Sequence, residues 1–329
     1  MMSVTIRGNQ KQEANETKKP VPFVKSQIIL FQSRKKFAFL YCLATVTGLF
    51  SLPGVIGELS SPSSDLLNIV RMTLPLPLTS LLVTAGVYIL NDLVDVDLDR
   101  ANGKKRPIPS GLVSRQQALM FVILAFGTAV LLTVITFRPV SLIVVSLMLL
   151  IGITYSATRV ALMKRFVIKT LSIAFFYVLC ALLGMTSIYN LDLAVNNPLQ
   201  VTSIFVTLAL MVFISSTLND MGDIHGDRAA GRRTIPVVIG KDNTLKLTMT
   251  LAAGVIAATW AFYGVGIATG NDATPITAAM TTSIAIVVIM TLRKMRIGLT
   301  NAELVRKQHK KLFPFQMAVH PCLILGVML

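Results

Sequence analysis

Of the chain's 329 residues, 53% are hydrophobic and 14% are charged, where a soluble domain carries about 25% charged residues. That balance excludes a separate soluble globular domain and points to an all-α integral membrane protein. The net charge of +16 would suit nucleic acid, but the placement of that charge along the chain argues for no nucleic acid partner.

In chain order, residues 1–33 read as a polar, disordered cytoplasmic tail, with "GNQKQEANETKKP" at 8–20. The polar lead is far longer than the n-region of a cleavable signal. From 34 to 329 the chain reads as one polytopic domain. Nine apolar segments are long enough to cross a bilayer, at 36–58, 69–91, 115–137, 139–156, 166–190, 199–219, 245–268, 273–292 and 312–329. The last is the weakest, because it contains Pro314, His320 and Pro321. Cys42, Cys180 and Cys322 sit singly in different segments, with no metal or disulfide spacing. His309, His320 and Trp260 have no company that suggests chemistry. Segment 293–311 reads as a basic surface helix in contact with lipid.

Loops alternate sharply in basic content. The N-terminal tail and every second connection after it hold 29 of the 31 Lys and Arg residues. The basic side is the cytoplasmic side, so the N-terminus is expected inside and, after nine crossings, the C-terminus outside. The reading is a multi-pass protein of the cell membrane.

The chain also repeats itself. "LNDLVDVDLDRANG" (90–103) and "LNDMGDIHGDRAAG" (218–231) match at eight of fourteen positions without gaps. A basic pair follows each copy. The offset of 128 residues covers four expected spans, which brings both copies to the same face, as in a parallel internal repeat with a site between two similar halves. Asp92, Asp95 and Asp99 share one helix face at i, i+3, i+7, with Asn91 one turn from Asp95. Asp220, Asp223 and Asp227 repeat the spacing, with Asn219 beside them. Asp97 falls about 140° from Asp92 on a helical wheel and reads as a solvated outlier. Three carboxylates on one face repel, and Mg²⁺ completed by substrate phosphates would compensate them. With Lys104, Lys105, Arg232 and Arg233 nearby, the two faces suit a metal-bound diphosphate. The sequence from Asp95 imitates a calcium loop, but Arg100 and Arg106 stand where Gly and Glu are needed.

These motifs, with "RPIPSG" (106–111), "DMGDIHGDRAAGRRTIPVVIG" (220–240) and "TYSATRVALMKRF" (154–166), resemble the UbiA superfamily of intramembrane prenyltransferases. The resemblance covers nearly the whole chain from about Arg34. It implies nine transmembrane helices around a central cavity, capped by two acidic loops, and a prenyltransferase with Mg²⁺ as cofactor. Its implied partners are an isoprenoid diphosphate donor, a lipophilic acceptor and membrane lipid. Carried over by residue, Asp92, Asp95, Asp99, Asp220, Asp223 and Asp227 would hold metal, and Asn91, Asp92, Asp95, Asp220 and Asp223 would carry catalysis. Asn91, Asn219, Lys104, Lys105, Arg106, Tyr155, Lys164, Arg165 and Arg232 would contact the diphosphate.

The short spacer "ANGKKRPIPSG" looks like the branches making archaeal ether lipids or chlorophyll, and the favoured one is the archaeal branch, which moves geranylgeranyl from geranylgeranyl diphosphate to geranylgeranylglyceryl phosphate. Quinone-precursor aromatics and tetrapyrroles remain open as acceptors. A secondary transporter would be expected to place its acids nearer mid-membrane. A CDP-alcohol phosphotransferase would carry an Asp-Gly-x-x-Ala-Arg element, which is absent. An inactive scaffold would not be expected to keep both acidic motifs complete.

Overall fold

The computed structural model describes residues 21–101, 105–157, 160, 162–270 and 275–328. Among these the chain is helical and has no strand. Nine long helices carry the fold: α1 Phe23–Phe50, α2 Pro75–Val94, α3 Arg115–Val134, α4 Pro139–Ser156, α5 Ile168–Met185, α6 Pro198–Asp220, α7 Ile235–Ala268, α8 Pro275–Ile297 and α9 Leu312–Met328. Proline starts α2, α4 and α6, where its missing N–H costs nothing. A capping box between Ser114 and Gln117 starts α3.

Each expected apolar segment falls on one of these helices, but the count of spans differs from expectation. Seven helices are long and apolar enough to cross a bilayer alone. An eighth span needs α1 joined to Pro53–Ser60 across a 68° bend. Buried Asn190 ties that bend, accepting from Val55 N at 3.3 Å and donating to Leu49 O at 2.7 Å. The last helix, α9, has 17 described residues and contains Pro321. Among the described residues, seven or eight segments thus have the length and hydropathy of a span, one or two fewer than the nine expected.

Two boundaries also move. Helix α1 begins at Phe23, well inside the segment expected to be a disordered tail. Its first turns are anchored, because Leu30 is fully buried and Gln27 donates to Gln117 O at 3.2 Å. Helix α7 begins ahead of its expected span and kinks at Gly240, whose φ of 79° is open to glycine.

Helix α2 packs on α1 and α3, and α6 packs on α5 and α7, so both halves share one neighbour order. The halves meet where α1 crosses α5. A Cβ on Gly48 would lie 1.9 Å from Ala181 O, and one on Gly184 2.1 Å from Thr45 O. Small residues that let backbones touch are how helices gain packing energy in lipid. Beside this crossing, buried His320 on α9 accepts or donates through both ring nitrogens, to Thr47 Oγ1 at 2.7 Å and Tyr177 OH at 2.6 Å. On the outside, Ile143, Leu147, Leu150 and Ile153 of α4 are all exposed at helical spacing. An apolar stripe turned away from the core belongs against lipid.

Candidate active site

Each acidic motif sits where a long helix breaks. Helix α2 stops at Val94, Asp95 leaves helical geometry, and a short helix resumes at Val96–Ala101. Backbone bonds from Asp95 N to Asn91 O and from Asp99 N to Asp95 O carry the i, i+4 ladder across the break. The three carboxylates therefore keep one face, and all are buried: Asp92 1%, Asp95 7% and Asp99 1% exposed. Asp97 points to solvent and pairs with Arg100 and Arg115. Helix α6 ends at Asp220 and is followed, after a turn, by Ile224–Ala229. Here Asp220 and Asp227 are buried, while Asp223 and Asn219 are exposed.

Positive side chains answer the buried carboxylates. Arg34 of α1 grips both oxygens of Asp92, with Nε to Oδ2 at 2.8 Å, and lies 5.7 Å from the centre of the Tyr88 ring. Arg106 donates to Asp92 at 2.8 Å and to Asp99 at 2.5 Å. The turn that carries Arg106 is closed by Ser110 N to Arg106 O and by Val113 N to Pro107 O, and Gly111 at φ 74° makes it possible. In the second motif Lys169, at the start of α5, is 8% exposed and pairs with Asp220.

Arg232 joins the two motifs. It donates to Asp95 Oδ1 at 2.5 Å and lies 3.8 Å from Asp227 Oδ1. Its backbone N–H bonds Asp227 O at 2.8 Å just after Gly231, which has φ 66°. Burial pushes the Asp227 carboxyl above its ordinary range, against the opposing pull of Lys169 and Arg232.

The other expected contacts stand further off. Asn91 donates to Asp95 at 3.3 Å. Tyr155 ends α4 within the electrostatic reach of Asp220, Arg232 and Asp95. Lys105, Lys164 and Arg165 are exposed, and Arg165 turns to Val160 O at 3.1 Å. Lys164 contributes its carbonyl, which accepts from Arg233 N. Lys104 lies outside the described residues.

Sequence reasoning counted Arg34 and Lys169 only as topology charges. Lys169 carried a usable signal, a lysine inside the apolar run 166–190, since an ionisable group at such a position is a functional candidate by default. Nothing local singled out Arg34 from Lys35 and Lys36.

The donor chemistry suits a hard cation such as Mg²⁺, because every acidic group is an oxygen ligand and Asp220 Oδ2 is buried with no hydrogen-bond partner. Among the described residues, however, no three acidic, histidine or cysteine side chains converge as a ready metal site. The carboxylates face arginine and lysine instead.

Comparison with known proteins agrees with this architecture. Residues 50–303 match the model of the UbiA prenyltransferase family. The digeranylgeranylglyceryl phosphate synthase of Halobacterium salinarum is 33% identical over 188 residues, 56% of this chain and 63% of that protein. The chain thus matches a little under two thirds of that relative's length. The synthase of the same name from Methanoculleus marisnigri is 29% identical over 225 residues, 67% of this chain and 74% of that protein. Among solved structures, one described as digeranylgeranylglyceryl phosphate synthase in membranes superposes with a TM-score of 0.63 at 19% identity, covering 93% of this chain and 99% of that one. A UbiA homolog from Archaeoglobus fulgidus bound to DMAPP and Mg²⁺ gives 0.61 at 17% identity, covering 91% and 99%. With the family model spanning most of the sequence and both acidic motifs inside it, this multi-pass chain belongs to the UbiA prenyltransferase family.

Proposed function

We propose that the chain transfers a geranylgeranyl group from geranylgeranyl diphosphate to geranylgeranylglyceryl phosphate, within the membrane, as a step of archaeal ether-lipid synthesis. One observation carries the reading: two buried acidic half-sites meet through Arg232 at one end of an apolar helix bundle. Such a boundary fits a substrate with an ionic head and an oily tail. The names of the curated relatives favour this donor and acceptor.

In the reaction, the allylic C1–O bond breaks and its electron pair leaves on the diphosphate. The acceptor hydroxyl oxygen bonds to C1, and its proton passes to the departing diphosphate. Magnesium held by Asp92, Asp95, Asp99, Asp220, Asp223 and Asp227 would supply positive charge to the leaving group. Arg106 and Arg232, carried on turns rather than within long helices, exchange carboxylate for phosphate oxygens as the donor settles. Asn91, which donates to Asp95, and Asn219 contact the diphosphate. Lys104, Lys105, Lys164 and Arg165 attract the diphosphate from solvent. Tyr155 lies toward the reacting carbon. Apolar helices exclude the water that would quench an allylic cation. The acidic end, with the N-terminus, faces the cytoplasm.

The test uses purified protein in lipid with radiolabelled geranylgeranyl diphosphate, Mg²⁺ and three separate acceptors: geranylgeranylglyceryl phosphate, 4-hydroxybenzoate and chlorophyllide. The expected result is labelled product with the first alone, abolished by EDTA, by Asp92→Asn and by Asp220→Asn. Product with another acceptor would overturn the acceptor assignment, and donor binding with no product from any of the three would overturn it as well. Absence of donor binding would overturn the activity.

A further inference from the structure

A second feature lies outside the acidic site. A groove of about 590 Å³ runs down the outer face where α1, α2 and α3 meet, lined by Phe31, Leu82, Phe121 and Leu124, with Gln27, Gln32 and Lys35 along its α1 edge. Its volume falls in the range of ligand clefts, roughly 300–1,000 Å³. Ile28 and Leu124 on its walls are 53% and 48% exposed, which suits contact with alkyl chains rather than water.

One polar observation narrows the occupant. Arg34 turns inward to Asp92, whereas Lys35, one residue on and about 100° round the helix, lines the groove and has no ion pair among the described residues. An ammonium at the edge of an apolar surface favours an anionic head group. Gln27, at the shallow end of the groove, is already engaged by the fold, its amide donating to Gln117 O and Ser26 Oγ. Lys35 stands at the level of the Arg34–Asp92 pair, at the end of α2, and Leu82 lies deeper along that helix.

We propose that this groove holds one anionic membrane lipid. Its phosphate sits at Lys35 and Gln32, and one chain lies along Leu124 and Leu82, deeper in the groove.

Native mass spectrometry of the full chain, with phosphatidylglycerol and phosphatidylcholine offered at equal concentration, tests this. One retained phosphatidylglycerol is expected. Lys35→Ala should lower the preference about five-fold, the attraction of one basic side chain to an anionic lipid, while Lys36→Ala leaves it intact. Leu124→Trp, which fills the groove from its lipid side, should reduce retention of both lipids at an unchanged melting temperature. Glycerol 3-phosphate, which has the head without the chain, should not compete. Equal retention of the two lipids, a preference untouched by Lys35→Ala, competition by glycerol 3-phosphate, or a lipid-free dimer would each overturn the proposal.

Discussion

The two acidic half-sites share a backbone plan and differ in how their charge is answered. In the first, Asp92 is held by Arg34 and Arg106 together, Asp99 by Arg106 and Asp95 by Arg232. In the second, among the described residues, Asp220 pairs with Lys169 through one oxygen while its other oxygen has no hydrogen bond, Arg232 lies 3.8 Å from Asp227, and Asp223 is exposed. The difference arises because the cations all come from outside the matched fourteen residues. At the offset of 128, Arg34 corresponds to Leu162, Arg106 to Thr234 and Lys169 to Tyr41. Only Arg232 has a basic counterpart, Lys104 of the first basic pair, so the duplicated motif is answered by largely unrelated counter-charges. The first half-site is locked by guanidinium forks, while the second keeps an oxygen available for an incoming cation.

The comparison breaks most visibly at Asp92. Asp92→Asn leaves the partly exposed guanidiniums of Arg34 and Arg106 short of charge, so unfolding stability in detergent should fall by about 3 kcal/mol, the low end for a buried pair, and prenyl transfer by about 10²–10³-fold. Asp223→Asn should leave the melting temperature within error and reduce transfer alone. If both variants melt alike, the first half-site is not the locked one. Next in size, Lys169→Met strands the Asp220 carboxylate and should cost about 3 kcal/mol. Adding Asp220→Asn should recover most of that stability without activity. A double variant as unstable as the single one would break the assignment of Lys169 to Asp220. Arg232→Lys keeps the charge that links the halves but loses the fork, and about tenfold lower kcat/KM is expected with little change in melting. At the small end, Asp97→Asn should alter neither transfer nor melting, because its pairs are exposed and screened.

The carboxylates were legible because spacing along a helix survives translation into structure, even across the break at Asp95. Their partners were less so. Arg34 sits 58 positions from Asp92 and Lys169 51 from Asp220, and no local pattern encodes pairings at that range. The early start of α1 was hidden for a related reason. Lys25 and Arg34 interrupt its apolar run, and what fixes the helix is Leu30 and Ser26 buried against neighbours, a tertiary effect invisible to hydropathy.

The crossing of Gly48 and Gly184 constrains how the halves can move. Backbones in contact leave no slack for sliding, so the crossing acts as a fulcrum and its two helices as levers. Arg34 lies 14 residues from Gly48, about 21 Å along α1, and Lys169 lies at a similar distance along α5. A rotation of roughly 5° at the fulcrum would therefore move each cation by about 2 Å, enough to break one ion pair and form another while the packed centre stays put.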